Sequence, residues 1–260
     1  MTKAYNIDWL KEEFEKGNPL KYLFFWGHTS PQDQTVGNWC LSQWFESPFE
    51  VNGITYKTTE HWMMSQKALL FDNYDIHQKI IECNKPGEAK DLGRQVTGFD
   101  EQVWVSNRYS IVKTGNINKF SQNQELGNYL LNTKDRVLVE ASPVDTIWGI
   151  GLSKDSEDAT NIYSWRGLNL LGFVLMETRD FFREHGFFQI ADFQFRTPWN
   201  EFPAIDAVDI FWRMGKGEDF IINFFKNYQS LTKSEKVKFQ IANPEPKNWR
   251  GFFEEIELNH

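Results

Sequence analysis

Cysteine is scarce in this sequence, and the usual signatures of a metal site are missing from it. The 260 residues contain two cysteines, Cys40 and Cys83, with no Cys-x-x-Cys spacing. The five histidines show neither an i, i+4 spacing nor a His-Glu-x-x-His pattern. Zinc sites are normally recognised by such spacings. We therefore expect two reduced thiols and no metal held by protein ligands alone.

Long apolar runs are also missing. No segment approaches the ~20 consecutive apolar residues that a membrane-spanning helix needs. The opening stretch, MTKAYNIDWLKEEFEKGN, has charges scattered through it and lacks the apolar part of a signal peptide. With 40% hydrophobic and 25% charged residues, the composition is that of an ordinary globular protein, and we expect a cytoplasmic one.

An excess of positive charge is missing as well. The net charge of −8 argues against a large surface for nucleic-acid phosphates, because such surfaces rely on Lys and Arg. It leaves open a pocket for one nucleotide or one flipped base, where local groups matter more than the overall charge. Aromatic residues are abundant instead: 11 Trp, 23 Phe and 8 Tyr make up 16% of the chain. We assign most of them to the core and several to the walls of a pocket.

The order of the predicted elements indicates a mixed fold. A short amphipathic helix precedes KYLFFWG, a buried strand that ends in a turn at Gly27, and the polar loop HTSPQDQTVGN follows. Asn52 and Gly53 lie between β-prone runs, which is a strong signal for a β-hairpin. From about Thr59 to Lys134 the pattern is helical.

Two interruptions are predicted within this helical region, at NKPGEAK and at KTGNINK, because Pro86 and Gly115 lie there. RVLVEAS then reads as a strand, and the loop after it contains two alternate glycines. The stretch NLLGFVLMETRDFFREHG is a predicted amphipathic helix that ends at Gly186. After this residue the chain becomes rich in aromatics and prolines.

We divide the chain at this change in composition. Residues 1–20 form a charged lead-in, residues 21–186 the main domain and residues 187–260 a C-terminal extension of unknown role. The extension contains two predicted helices, and the second opens with a capping box from Thr232 to Glu235. The aromatic residues expected to pack the extension on the main core are Trp199, Phe202 and Trp212.

The stretch YKTTEHWMMSQKALLF carries an acid and an amine inside a predicted buried helix. Glu60 and Lys67 are seven residues apart, which is two turns at ~100° per residue, so their side chains lie within roughly 20° around the axis. Both can face one cavity. As purely structural residues, Glu60 would complement the helix dipole and Lys67 would be a solvated amine. The dipole favours an ionised Glu60, which suits a charge stabiliser or general base better than an acid.

Two further clusters contain candidate site residues. In VEASPVDTIWGIG, Glu140 ends a strand and Asp145 lies in the loop that leads to Trp148. Alternatively, Asp145 caps a turn and Trp148 fills the core. Lys119 and Asn123, between predicted helices, offer ammonium and amide donors to a phosphate or a base edge, although such groups more often cap helices.

Six motifs, FFWG, LSQWFESPFEVNGITYKTTEHWMMSQKA, KFSQN, LLNT, LVEASPVDTIWGIG and NLLGFVLMETR, occur in an order typical of one family. Through them, residues 21–186 resemble the YbiA-like, or NADAR, domain family. The resemblance implies a compact, α-rich α+β fold with a small β-sheet, followed here by a mainly helical extension. It also implies the handling of NAD- and ADP-ribose-related nucleotides. Some members resemble N-glycosidases acting on early riboflavin intermediates, and others resemble hydrolases that remove ADP-ribose from guanine bases.

The resemblance also assigns residues. The acid of the family's TEH motif matches Glu60 and the lysine of its QKA motif matches Lys67, and with Asp145 these are the predicted catalytic residues. Two positions depart from the pattern: Gln43 stands where Asn is usual, and Ser65 where Ala is usual. Both departures bear on which substrate is bound and not on the reaction that is catalysed. The predicted substrate-binding residues are Phe25, Gly27, Trp104, Lys119, Asn123, Glu140, Trp148, Gly149, Gly151 and Asn169.

We therefore expect hydrolysis of an N-glycosidic bond between a base-like group and ribose 5-phosphate or ADP-ribose, without a cofactor. Glu60 would face the positive charge of the ribosyl oxocarbenium ion. Lys67 would attack C1′ and form a Schiff base, or act only as a charge. Asp145 would orient water or the ribose hydroxyls, and Trp104 and Trp148 would stack on the base or close the pocket against bulk water.

The expected partners are a small nucleotide or an ADP-ribosylated base, including nucleic acid that carries ADP-ribosylated guanine, and no membrane. Two other functions remain open from the sequence. A non-catalytic module that binds NAD or ADP-ribose would need the pocket but not the acid and the amine. A transferase that uses NAD would leave a labelled acceptor, whereas a hydrolase leaves free sugar phosphate and base.

Overall fold

The computed structural model describes residues 5–30 and 36–258, so part of the predicted polar loop HTSPQDQTVGN lies outside the described residues. The chain divides into two compact units. The first runs to Phe49 and resumes from Tyr56 to Phe187, and the second comprises Glu50–Thr55 and the chain from Phe188 onward. The division after 187 lies one residue from the predicted boundary after 186. The membership of Glu50–Thr55 in the second unit was not predicted, because a hairpin signal does not say what the hairpin packs against.

Helices make up most of the first unit. The first of them, α1 (Ile7–Glu15), begins where the side chain of Asn6 accepts a hydrogen bond from the backbone N–H of Trp9 at 2.7 Å. The others are α2 (Thr59–Leu70), α3 (Tyr74–Glu82), α4 (Pro86–Gly93), α5 (Glu101–Gln122), α6 (Gln124–Asn132) and α7 (Leu170–His185), with short 3-10 turns at Asn38–Leu41 and Ile162–Ser164.

Two small two-stranded sheets complete the α+β fold, which confirms the predicted class. They contain β1 (Tyr22–Phe25), β2 (Phe49–Val51), β3 (Ile54–Tyr56) and β4 (Val137–Glu140). β1 and β4 pair in parallel, with Phe25 opposite Glu140. Because parallel strands end at the same edge, the carboxyl end of β4 and the loop after it lie beside the end of β1.

The hairpin of β2 and β3 turns at the predicted residues. Asn52 and Gly53 both have positive φ, 52° and 76°, as a two-residue turn of type I′ requires. Asn and Gly are the residues that adopt this conformation at the lowest cost. The prediction of a hairpin here is confirmed.

The interruption predicted at Gly115 is wrong, because α5 is continuous through KTGNINK. Gly115 lies against Trp62 of α2, and a Cβ on Gly115 would stand 2.3 Å from Cδ1 of that indole. The indole Nε1 of Trp62 donates to the carbonyl of Ile111 at 2.7 Å. Gly115 therefore allows α5 to pack closely against α2, and it does not end α5. At NKPGEAK, by contrast, Pro86 does open α4.

The second unit has a hydrophobic core of its own. Its helices are α8 (Pro198–Glu201), α9 (Gly215–Ser230), α10 (Lys233–Ala242) and α11 (Phe252–Leu258), with 3-10 turns at Ile190–Asp192, Ile210–Arg213 and Lys247–Trp249. The ring centroids of Trp199 and Trp249 are 5.5 Å apart, and those of Phe202 and Trp212 are 5.7 Å apart. These aromatics therefore pack with one another in a core of the second unit, which the sequence analysis did not predict. In the described parts of the chain, no helix combines the length and apolar character that crossing a bilayer requires.

Candidate active site

A cavity of about 270 Å³ lies in the first unit, where α2 meets the segment after the first 3-10 turn, the end of α4 and the loop after β4. It is bordered by both carboxylates and amines, together with three tryptophans and two methionines. The lining residues are Ser42, Gln43, Trp44, Glu60, Met63, Met64, Lys67, Lys90, Gly93, Arg94, Trp104, Glu140, Asp145, Ile147 and Trp148.

Glu60 lies in the first turn of α2, which begins at Thr58. Its side chain is 3% exposed, and this burial raises the pKa of its carboxyl to about 7. The positive charge of Lys90 and a hydrogen bond from the side chain of Trp44 oppose the rise in this pKa. The expectation of a carboxylate kept ionised by the helix dipole is thereby corrected, because desolvation outweighs the dipole here.

Glu140 lies at the carboxyl end of β4, and its backbone N–H donates to Oδ1 of Asn169 at 3.0 Å. Burial raises the pKa of this carboxyl to about 8, and the negative charges of Asp145 and Glu60 add to the rise. Its Oε2 is buried and has no hydrogen-bond partner among the described residues. The raised pKa favours the protonated form of Glu140, which can donate a proton into the cavity.

Asp145 has two roles at once. Its Oδ1 accepts hydrogen bonds from the backbone N–H groups of Ile147 and Trp148, at 2.8 and 2.7 Å, which is the turn-capping role expected of an Asp. The residue also lines the cavity, and its negative charge contributes to the raised pKa of both Glu60 and Glu140. The turn therefore places the carboxylate of Asp145 beside the two buried acids.

Lys67 lines the same cavity as Glu60, as their spacing on the helix allows, but the two do not pair. Lys67 Nζ donates to the carbonyl of Gly93 at 2.9 Å and lies 4.5 Å from the ring centroid of Phe99. Burial lowers the pKa of this amine, and the charge of Glu101 opposes the change. Lys67 takes part in no ion pair with any described residue. Seven residues advance a helix by ~10 Å, so a shared face does not bring the two charges into contact.

The positive charges near Glu60 belong instead to Lys90 and Arg94, which the sequence analysis missed. They are four residues apart, at and just beyond the end of α4, and therefore on one face of it. Lys90 Nζ lies 5.8 Å from the ring centroid of Trp44. The four-residue spacing of Lys90 and Arg94 in PGEAKDLGR predicts that they share a helix face. The sequence around them does not indicate that α4 borders the same cavity as α2.

Seven of the predicted binding residues do not line the cavity, and Lys119 is the most informative of them. It lies within α5, is fully buried, and its Nζ donates to the carbonyls of Cys40 and Ser42 at 2.7 and 2.9 Å. Burial lowers its pKa to about 8. Asn123 likewise donates to the carbonyl of Pro48 at 3.1 Å. The two side chains thus hold the backbone on either side of the lining residues 42–44.

The predicted binding residues around the β4 loop are also structural. Asn169 is fully buried in the left-handed conformation and donates from Nδ2 to the carbonyl of Leu138 at 2.9 Å. A Cβ on Gly149 would stand 2.8 Å from the carbonyl oxygen of Glu140. Gly151 has a φ of 69°, which a glycine adopts readily. These residues bring the loop close to its own backbone, and none of the three lines the cavity.

Phe25 and Gly27 complete the set that lies off the cavity. Phe25 is 1% exposed and belongs to the core. Gly27 has a φ of 82° and turns the chain after β1. Of the predicted site residues, the structure brings six together around the cavity: Glu60, Lys67, Trp104, Glu140, Asp145 and Trp148.

The charge of Asp145 can be tested apart from its turn. In Asp145→Asn, the amide oxygen still accepts the two backbone hydrogen bonds, but the negative charge that raises the pKa of Glu60 and Glu140 is gone. Both pKa values should fall, so both limbs of the pH profile of kcat/KM should move to lower pH. The measurement is kcat/KM from about pH 5 to about pH 10. An unmoved profile would separate Asp145 from the titrating groups.

All lining residues belong to the first unit, which predicts the effect of a truncation. A chain that ends at Phe187 should keep a turnover within ~3-fold of that of the full chain, because a unit with its own core keeps its site. The cut follows Phe187 because its ring lies 4.6 Å from that of Phe182. Loss of all turnover in a truncated protein with a native circular dichroism spectrum would show that the extension completes the site.

The sequence of this chain is similar to a known domain family and to several known proteins. Residues 24–183 match the model of the NADAR domain, and the chain belongs to this family. N-glycosidase R617 of Acanthamoeba polyphaga mimivirus is 44% identical over 167 residues, which is 62% of this chain and 95% of that protein. N-glycosidase YbiA of Shigella flexneri serotype 5b is 30% identical over 140 residues, 54% of this chain and 79% of that protein. Riboflavin biosynthesis protein PYRR of Zea mays is 38% identical over 132 residues, 48% of this chain but only 19% of that protein.

Proposed function

We propose that this protein hydrolyses the N-glycosidic bond between a base-like leaving group and ribose 5-phosphate. The observation that carries the proposal is the pair of buried carboxyls, Glu60 and Glu140, with pKa values raised to about 7 and about 8 beside the same cavity as Lys67. The pKa of Glu140 is raised further than that of Glu60, which favours Glu60 as the anion and Glu140 as the acid. Two carboxyls held in different states are what a stabilising anion and a general acid require.

The class of enzyme rests on the relatives. Those that share 44% and 30% identity with this chain are named N-glycosidases, and the protein is an N-glycosidase-type hydrolase. The substrate is the finer part of the proposal. A cavity of about 270 Å³ suits one heterocyclic base and part of a ribose, and the name of the maize relative supports an intermediate of riboflavin synthesis.

A second substrate, ADP-ribosylated guanine in a nucleotide or in nucleic acid, is supported by the position of Arg94. This residue lines the cavity, and its side chain is 68% exposed and pairs with the exposed Asp91 at 2.8 Å. A phosphate that extends beyond the ribose can replace this surface ion pair. Such a contact would involve one modified base rather than a long duplex, which agrees with the net charge of −8.

In the proposed first step, the neutral amine of Lys67 attacks C1′ of the ribose. The new N–C1′ bond forms as the glycosidic C1′–N bond breaks, its electron pair goes to the base, and the carboxylic acid of Glu140 gives the base a proton. The carboxylate of Glu60 stabilises the positive charge that develops on the ribosyl group. Burial favours the neutral amine because it lowers the pKa of Lys67.

In the second step, a water molecule takes one proton from the Lys67 nitrogen, the lone pair of that nitrogen forms the C=N bond, and the ring oxygen leaves C1′ and takes a proton from that water. Water then adds to C1′ of the iminium, which releases the sugar phosphate and restores the amine. Direct attack of water on C1′ is the alternative, with Lys67 as a fixed charge. Only the route in which Lys67 attacks C1′ passes through a covalent adduct.

The test of the function is a panel of substrates with products identified by mass spectrometry. The panel contains riboflavin intermediates, NAD, ADP-ribose, and ADP-ribosylated guanosine and DNA. We expect free base and free sugar phosphate from a ribose phosphate N-glycoside, and the same products with and without a metal chelator. Binding without cleavage would instead identify a reader of the nucleotide, and a labelled acceptor would identify a transferase.

A further inference from the structure

The side chain of Gln43 is buried at the cavity with half of its hydrogen-bonding capacity unused. Gln43 is 6% exposed and lines the cavity, yet its Oε1 has no partner among the described residues. Its Nε2 approaches only the sulfur of Met63, at 3.8 Å, and a thioether is a weak acceptor. A buried polar atom without a partner is destabilising, so native proteins rarely retain one without a reason.

Two other buried amides of the first unit, Asn73 and Asn169, have side-chain oxygens that are paired within the protein, whereas the Oδ1 of the buried Asn116, off the cavity lining, has no partner among the described residues. Asn73 accepts from the backbone and the hydroxyl of Thr97 and donates to the carbonyl of Phe71. Asn169 accepts from Glu140 and donates to Leu138. Among the described residues, Gln43 and Glu140 are the two that both line the cavity and carry a buried side-chain oxygen without a partner.

The backbone of Gln43 is firmly held, although its amide is not. Its carbonyl accepts hydrogen bonds from the backbone N–H of Glu60 and from Oγ1 of Thr59, both at 3.1 Å. The preceding carbonyls of Cys40 and Ser42 are held by the buried amine of Lys119. The side-chain amide therefore extends from a fixed backbone, which is hydrogen-bonded to the backbone of Glu60.

We propose that Gln43 determines the specificity of this site by pairing its carboxamide with a base edge that carries an N–H donor next to an acceptor. This inference rests on the proposed function and adds the residue that reads the leaving group. A carboxamide presents a donor and an acceptor side by side, which matches such an edge with two hydrogen bonds. Its last torsion has a broad minimum, so the amide turns toward the base at the loss of one weak contact to sulfur.

The test compares two probes that differ only at this edge. Inosine 5′-monophosphate carries the N1–H and O6 pair, and purine riboside 5′-monophosphate lacks both. We expect the wild-type protein to bind the inosine compound at least ~10-fold more tightly by isothermal titration calorimetry. Gln43→Met, which keeps the length of the side chain beside Met63, should weaken binding of the inosine compound and bring the two affinities within ~2-fold.

Two further variants complete the experiment. Gln95→Met makes the same change at an exposed glutamine away from the lining and should keep the wild-type preference. Gln43→Leu repeats the loss of the amide should Gln43→Met fold poorly. Equal binding of both probes by the wild type, no binding of either, or a preference that survives in Gln43→Met and Gln43→Leu would each overturn the assignment.

The titration also separates this inference from the proposed function, since it records binding and not cleavage. A preference for the inosine compound in a protein that cleaves nothing in the substrate panel would support Gln43 as the reader and contradict the hydrolase. Cleavage within the panel without any preference between the probes would contradict the role of Gln43 alone.

Discussion

Glu60→Gln should lower kcat by at least ~100-fold, because the amide keeps the shape of the side chain but cannot oppose the positive charge of the ribosyl oxocarbenium ion. The variant should still bind substrate, since the oxygen of Gln can accept the hydrogen bond from the side chain of Trp44. The measurement is steady-state turnover of the active substrate at about pH 8, where the carboxyl with a pKa of about 7 is mostly ionised. Turnover near that of the wild type would remove Glu60 from the mechanism.

The same substitution should stabilise the fold at neutral and alkaline pH. The pKa of Glu60 is raised from 4.5 to about 7 on folding, so the unfolded chain loses this proton first as the pH rises. The contribution of the carboxyl to stability is therefore fully present below pH 4.5 and is lost as the pH rises to about 7. At about pH 8 the melting temperature of Glu60→Gln should exceed that of the wild type by a few degrees, and at about pH 5 by much less.

A matched control makes these two effects specific. Glu125 also lies in the first turn of a helix, α6, but its side chain is exposed. Glu125→Gln removes the same charge from the same helical position without a burial cost. It should leave both turnover and the melting temperature close to the wild-type values. A loss of activity in both variants would indicate an effect of net charge, not of the cavity.

Local signals explain what the sequence could predict. The hairpin follows from two residues that tolerate positive φ, and β4 with its terminal Glu140 follows from a short β-branched run. The common orientation of Glu60 and Lys67 follows from helical periodicity, and both do border one cavity. Each of these features depends on residues within a few positions of one another.

Features that depend on distant segments were missed or placed wrongly. Lys90, rather than Lys67, is the lysine whose charge acts on Glu60, and this depends on how α4 packs beside α2. Lys119 was expected at the ligand, but its amine is consumed by two carbonyls that lie 77 and 79 residues away in sequence. The spacing along one chain segment carries no information about such partners. The pKa of Glu60 was misjudged for the same reason, because burial arises from the whole fold and the dipole from one helix.

The second large effect concerns Lys67, whose role as a nucleophile or as a charge is decided by trapping. Sodium borohydride added during turnover reduces an iminium to a stable amine, so the proposed route predicts a ribosyl adduct on a single lysine. That lysine should be Lys67. Lys90 also lines the cavity and serves as an internal control, whereas Lys119 is buried off the lining and should stay unlabelled.

Lys67→Arg keeps the positive charge and a donor for the carbonyl of Gly93, but a guanidinium cannot form the iminium. It should therefore abolish the adduct and lower turnover by at least ~100-fold together, whereas Lys79→Arg at an exposed position of α3 should change neither. Activity of Lys67→Arg within ~10-fold of the wild type, with no adduct on the parent protein, would establish direct attack by water. Lys67 would then act as an electrostatic anchor held between Gly93 and the ring of Phe99, and the lowered pKa of its amine would reflect burial without a catalytic use.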